Sequence, residues 1–148
     1  MSVDVQTEIV IERPVDVVAA YAADPTNAPE WYANIDSVDW QTAPPPNVGS
    51  KMTFVARFLG RRLEYTYEIV ELADDERLVM RTEGPFPMET AYTWAPAGAG
   101  STRMTLRNRG EPSGFSKLMA PLMEPAVRRA NRKDLAKLKQ TLEAGPGS

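Results

Sequence analysis

Between Lys51 and Arg109 the chain reads as five consecutive segments in which every second side chain is apolar, each closed by turn-forming residues. Lys51 to Leu59 sets Met52, Phe54, Ala56 and Phe58 on one side, and Arg62 to Leu72 sets Leu63, Tyr65, Tyr67 and Ile69 together with Glu64, Thr66 and Glu68 opposite. Arg77 to Glu83 offers Leu78 and Met80, Met88 to Ala95 offers Met88, Thr90, Tyr92 and Trp94, and Thr102 to Arg109 offers Met104 and Leu106. A period of two is what a strand with one buried face requires, and short loops between such strands join antiparallel neighbours. Gly60, Asp74-Asp75, Gly84-Pro85-Phe86-Pro87 and the glycine-containing stretch Pro96 to Ser101 supply the turns. Charged residues fall so regularly on the second face that the sheet is expected to be wet outside and apolar inside. Its inner face then needs a cover.

Phe115 to about Ala144 is the segment that can provide one. Leu118, Met119, Leu122 and Met123 cluster on one side of this helix, while Val127, Leu135, Leu138 and Leu142 cluster on a side rotated by over a quarter turn. A straight helix would not bury both groups. Pro121 and Pro125 lie near the change, and a proline inside a helix removes a hydrogen bond and bends it, so the spacing predicts a kink or break there. A bent helix leaves room beneath it.

Upstream, Val3, Val5, Thr7, Ile9 and Ile11 alternate as a further strand. Pro14 reads as the first residue of a short helix carrying Val15, Val18, Ala19 and Ala22, and Asp24-Pro25 as the start of a second one ending around Trp31-Tyr32. Ile35 to Gln41, with Val38 and Trp40 on one side, is another strand, and Pro44-Pro45-Pro46-Asn47 with Gly49 forms a stiff connection too short to be an interdomain linker. The expected architecture is α+β: a curved antiparallel sheet of about seven strands around a long kinked C-terminal helix, with two short helices after the first strand. Residues 1–144 make a single domain, and 145–148 a disordered tail.

Composition narrows the chemistry. The 148 residues include no cysteine and no histidine, which removes disulfides, thiolate nucleophiles, Ser-His and Cys-His pairs, and metal sites built on either residue. Any reaction would rest on Asp, Glu, Lys, Tyr, Arg or water, and neither a metal nor another cofactor is expected. A net charge of -3 offers no basic footprint for nucleic acid. Met1 to Glu12 alternates and carries Asp4 and Glu8, unlike a secretory signal, and no run approaches the ~20 apolar residues that span a bilayer, so a cytoplasmic location is expected. A homodimer is compatible with all of this.

The order of elements resembles the START-like or Bet v 1-like (SRPBCC) superfamily and its helix-grip fold, with a closer likeness to the bacterial polyketide cyclase/dehydrase-type branch. The likeness is carried by Ile11-Glu12-Arg13-Pro14 with Val17-Val18 and Tyr21, by Asp24-Pro25 with Trp31, and by Val48-Gly49-Ser50. Gly100-Ser101-Thr102-Arg103-Met104-Thr105-Leu106 and the helix end Asp134-Leu135, Leu138-Lys139 and Leu142-Glu143 continue it, so that it covers nearly the whole chain. These are turn, cap and core positions, which speak to fold far more than to function. The resemblance implies a deep cavity between sheet and helix that takes lipids, polyketides, sterols or other apolar molecules.

Candidate ligand-binding residues follow from the inner faces. Phe54, Phe58, Tyr65, Tyr67, Tyr92 and Trp94 either line a cavity or fill a dry core. Three phenols on one inner face want hydrogen-bond partners, which points to water or a polar ligand group inside; the other reading turns their tips outward to backbone. Met80, Met88, Met104, Met119 and Met123 suit a promiscuous surface or plain core packing. Trp31 falls where the resemblance places the cavity mouth, as a ligand contact or a plug, and Asn108 either orients a ligand group or bonds a turn. Leu118 and Leu122, from the helix, complete the candidate set.

No catalytic residue is assigned. Glu83, Arg81, Glu30 and Arg57 are the ionisable residues best placed near breaks in the pattern, yet alternation puts Arg57, Arg81 and Glu83 in solvent. Arg128, Arg129, Arg132 and Lys133 meet an acidic lipid head or partner, or form the solvated side of the helix. The expected function is binding of a small hydrophobic or amphipathic molecule, lipid-like or polyketide-like, as carrier or sensor. The alternative is a cyclase/aromatase-type enzyme using the same cavity, which needs an inward ionisable group; a weaker one is a protein-interaction domain of co-chaperone type.

Overall fold

The computed structural model describes residues 3–58, 60–84, 86–111 and 120–144. Strands β1 (Val3–Ile11), β2 (Ile35–Trp40), β3 (Lys51–Phe58), β4 (Arg61–Ala73), β5 (Arg77–Thr82), β6 (Met88–Gly98) and β7 (Ser101–Gly110) form one antiparallel sheet in the order β1-β7-β6-β5-β4-β3-β2. The first two strands therefore lie on opposite edges. Between them run α1 (Val15–Ala22), a 3-10 turn (Pro25–Asn27) and α2 (Ala28–Trp31), and α3 (Ala120–Glu143) packs along β1 and against α2. This is the helix-grip arrangement expected from the sequence.

Alternation sets the two faces of the sheet. In β4, Leu63, Tyr65, Tyr67 and Ile69 are buried while Arg62, Glu64, Thr66 and Glu68 are exposed. The outer face is laced by ion pairs; those exposed at both partners, such as Arg77–Glu71 and Arg107–Asp4, contribute little to stability. Two departures from expectation have local causes. Pro14 stands one residue before α1, extended at φ -62 and ψ 153, with its carbonyl accepting from the Val17 and Val18 amides. Strand β6 runs past the expected turn to Gly98: pairing with β5 ends at Thr93, so Pro96, lacking an N–H, pairs with Thr102 on the one side that still has a partner.

Helix α3 runs without interruption through Pro125, and its buried side is a single stripe. Met123, Val127, Asn131, Asp134, Leu135, Leu138 and Leu142, all buried or partly so, fall within an arc of about 120° at 3.6 residues per turn. Leu122 lies outside that arc and is 58% exposed. Of the first apolar group expected from sequence, Met123 joins this stripe and Leu122 is left in solvent; the segment 112–119, with Phe115, Leu118 and Met119, lies outside the described residues.

Near its C-terminus α3 is tied to the end of β1. The Arg13 guanidinium donates to the Glu143 carbonyl at 2.7 Å, the Lys139 ammonium donates to the Val10 carbonyl at 2.9 Å, and the Glu12 amide donates to the Glu143 carboxylate at 2.8 Å. The apolar interior divides into two clusters. The main one joins the inner face of the sheet to Leu135, Leu138 and Leu142 and to α1 and α2; a satellite joins Val3, Val5 and Met123, with Val127 against it.

A candidate ligand cavity between sheet and helix

A cavity of about 160 Å³ lies where the two apolar clusters fail to meet. Val3, Met123 and Val127 wall it from the satellite cluster, and Phe54, Tyr65, Tyr67, Met80, Phe86 and Tyr92 from the main one. The gap has a cause in the helix. In the middle of its buried stripe α3 presents Ala130, Asn131 and Asp134, side chains too short to reach the aromatic floor of the sheet. Tyr32, Asn34 and Ile35, on the segment joining α2 to β2, close one side. A cavity of about 150 Å³ lined by aliphatic and aromatic groups stays dry and holds one benzene ring, so this space accepts at least a ring.

The aromatic floor is ordered by edge-to-face contacts. Phe54 meets Tyr67 with ring centres 5.7 Å apart and planes at 74°, and Tyr65 meets Phe86 at 5.7 Å and 80°. Its polar atoms are mostly paired with one another. The Tyr32 and Tyr92 hydroxyls share a hydrogen bond of 2.5 Å, and the Thr90 hydroxyl donates to Asn108 Oδ1 at 2.7 Å. Burial pushes all four phenols upward, Tyr67 to about 12 with the Thr90 hydroxyl pulling the other way, and Tyr32, Tyr65 and Tyr92 well above the ordinary range. They remain neutral across the physiological range.

Two groups stand apart. Asp134 is buried, at 3% exposure, and its Oδ1 accepts from the Ala33 amide at 3.0 Å. Burial raises this carboxyl to about 6, against the downward pull of the Ala33 N–H and of Lys133. One helical turn earlier, Asn131 is 4% exposed and its Nδ2 has no hydrogen-bond partner. Both side chains face the cavity.

Of the candidates named from sequence, Phe54, Tyr65, Tyr67, Met80, Tyr92 and Asn108 come together around this space. Three do not. Trp31 is 1% exposed but lies behind Tyr32 and Tyr92, with ring centres 4.1 and 5.8 Å away, and faces an outer groove beside Lys133 and Lys137 instead of the cavity. Met104 is fully buried within the main cluster, away from the void, because β7 reaches the cavity only through Asn108. Leu122 points to solvent for the reason given above. Leu118 and the side chain of Phe58 lie outside the described residues.

The ionisable residues flagged near breaks are peripheral. Arg57 pairs with Asp36 at 2.9 Å on the cavity rim, Arg81 pairs with Glu89 on the outer face, Glu83 is exposed, and Glu30 accepts from the Tyr21 hydroxyl at 2.6 Å. Asn131, Asp134 and Tyr32 are the site residues that sequence reasoning missed. A signal was present for the first two: polar residues three apart, in register with Val127, Leu135 and Leu138 on an otherwise apolar stripe. Among the described residues no cluster of three carboxylates stands ready for a metal ion, and no helix is long and apolar enough to cross a membrane.

Solved structures of similar shape agree on the fold. The chain superposes on the Zhui aromatase/cyclase from Streptomyces sp. R1128 with a TM-score of 0.79 and 14% identity, covering 97% of this chain and 94% of that one. A START superfamily protein from Mycobacterium smegmatis gives 0.81 at 12% identity, with 95% and 97% covered. The di-domain ARO/CYC BexL from the BE-7585A biosynthetic pathway gives 0.74 at 20% identity, this chain covering 46% of that one and 95% of itself being matched. No curated protein is detectably similar in sequence. Residues 2–143 nevertheless match the sequence pattern described as "Polyketide cyclase / dehydrase and lipid transport", and the chain belongs to that family.

Proposed function

We propose that this chain holds one small, mostly apolar molecule between α3 and the sheet, as a carrier or sensor. A single observation carries the reading: the interior is divided by a void whose wall is largely apolar, built of aromatic, thioether and aliphatic side chains, with polar groups at defined places. A packed domain of this size has no structural use for such a gap, since interiors otherwise reach the density of organic crystals. Apolar burial of the guest, at about 25 cal/mol per Å² before association costs, supplies the affinity. Equilibrium dialysis of naphthalene against the protein tests it. We expect saturable one-to-one binding that Phe54→Ala and Met80→Ala change, and absence of binding by naphthalene and by larger apolar molecules alike defeats the reading.

A second reading, a cyclase or aromatase acting on a polyketide-like chain, draws support from one feature of the same wall. Asp134 is an inward carboxyl raised to about 6, near where an acid or base is most useful at neutral pH. The likeness in shape to the Zhui aromatase/cyclase and to BexL runs in the same direction without deciding it. Incubation with a synthetic poly-β-ketone thioester distinguishes the two: a cyclised product formed by the wild type and not by Asp134→Asn favours catalysis, and unchanged substrate leaves binding alone.

A further inference from the structure

We infer that Asn131 and Asp134 together form a hydrogen-bond-donating subsite that selects neutral ligands carrying an exposed oxygen acceptor, such as a ketone or ether, over hydrocarbons and over carboxylates. The inference rests on the cavity being a binding site, as proposed above, and specifies what it binds. Asn131 is 4% exposed, is one of the residues lining the void, and has its Nδ2 buried without a partner. An amide donor buried and unpaired is an expense that folded proteins rarely tolerate, and an acceptor on a guest would relieve it.

Asp134 lies one helical turn further along the same stripe. Its Oδ1 is occupied by the Ala33 amide, which leaves the second oxygen to carry the proton and donate it in a hydrogen bond whenever the group is neutral. The surroundings favour the neutral form. Lys133 is the basic neighbour on α3, and it is exposed. From the segment after α2 comes the Tyr32 hydroxyl and from β6 the Tyr92 hydroxyl, already bonded to each other and both neutral. Arg57 on β3 stands across the void at its rim with its charge engaged by Asp36. Glu30, Lys137 and Arg129 border only the outer grooves that Asp134 also touches. A guest that fills the void strips the carboxyl of its remaining water and so binds best with the proton in place.

The contents of the wall also argue against anions. Among the described residues lining the cavity the only cation is Arg57, which is paired and lies at the rim, while Asp134 sits inside. A carboxylate pushed into the interior would meet a group of its own charge at high pH and would find no unpaired cation at any pH.

Three probes on one ring system, compared by the pH dependence of their binding, separate the contributions: naphthalene, 2-acetylnaphthalene and 2-naphthoate, measured by equilibrium dialysis at pH 5 and pH 8 on the intact chain. At pH 5 we expect 2-acetylnaphthalene to bind about tenfold tighter than naphthalene, the yield of one or two well-made hydrogen bonds. That advantage shrinks to roughly threefold at pH 8 as the carboxyl ionises, the remainder coming from the Asn131 amide, which does not titrate. Naphthalene shifts less, and 2-naphthoate binds weakest at pH 8. Asp134→Asn, whose amide still donates but does not titrate, keeps the acetyl advantage and loses its pH dependence; Asn131→Ala loses much of the advantage at both pH values. The comparison among ligands needs no variant to fold. Binding of naphthalene with no gain from the acetyl group, or a gain that ignores pH, overturns the subsite and leaves the binding function standing. Failure of all three probes and of larger apolar molecules to bind defeats both.

Discussion

Replacing Asp134 by asparagine is expected to stabilise the ligand-free protein, and only above about pH 4. The carboxyl titrates near 3.8 when free and near 6 in the fold, because burial disfavours its charge. Between those values the native state keeps a proton that the unfolded chain has lost. Stability therefore falls as pH rises from about 4 to about 6 and levels off beyond, the native carboxylate then being ionised in a poorly hydrated place. At about 1.4 kcal/mol per unit, the full difference is about 3 kcal/mol. Asparagine preserves the shape and the Oδ1 acceptor for the Ala33 amide, so the variant loses the penalty and keeps the bond. For a domain of this length about 3 kcal/mol corresponds to roughly 6–12 °C in Tm at pH 8, shrinking towards zero at pH 4. Thermal and urea unfolding of both proteins across pH 4–8 measures it. The carboxylates held low by their partners, Asp4, Glu89 and Glu143, are common to both proteins and cancel in the difference. A variant equally stable or less stable at pH 8, or a gain independent of pH, refutes the assignment of Asp134 as a carboxyl penalised by burial.

Other perturbations probe the frame around the cavity. Gly110→Ala should cost about 1–3 kcal/mol in urea unfolding, because a Cβ there would stand 2.7 Å from the Pro87 carbonyl oxygen and 2.8 Å from Met88 Cγ. Leu122→Ser, at a position 58% exposed, should stay within about 0.5 kcal/mol of the parent and leave naphthalene binding unchanged. Met123→Ala removes a side chain that is 1% exposed and faces the void; it should cost about 2–4 kcal/mol while letting a bulkier guest in, as read by dialysis of anthracene against naphthalene. Glu89 is pushed up by burial but pulled further down by the Arg109 and Arg81 guanidiniums, so it stabilises the fold above its ordinary pKa and that contribution fades as pH falls. Glu89→Gln should flatten the acid limb of the stability profile.

The frame of the molecule was legible because a period of two leaves little choice. Once Leu63, Tyr65, Tyr67 and Ile69 face one way and Glu64, Thr66 and Glu68 the other, a single register buries the apolar set. Six of the eleven candidate ligand residues, Phe54, Tyr65, Tyr67, Met80, Tyr92 and Asn108, border the void for that reason. The helix was harder to read. Counting only apolar residues grouped Leu122 with Met123, although about 100° of rotation separates them, and passed over Asn131 and Asp134 because they are polar. Strand alternation likewise could not separate Met104 from Tyr92: both are buried on the inner face, and which of them borders the hollow depends on where α3 crosses the sheet. That crossing is a tertiary fact. Trp31 shows the same limit, since its burial behind Tyr32 depends on how α2 seats against α3.

Everything said of function depends on a guest-sized hollow opposite Ala130, Asn131 and Asp134. A crystal structure of the protein grown at pH 5 with 2-acetylnaphthalene examines that directly. We expect ring density stacked among Phe54, Tyr67 and Tyr92, with the ketone oxygen within hydrogen-bonding reach of Asn131 Nδ2 or the Asp134 carboxyl. Side chains of Tyr65, Phe86 and Met123 closed over that space, with the ligand absent or confined to the surface, would leave the receptacle without a place in the molecule.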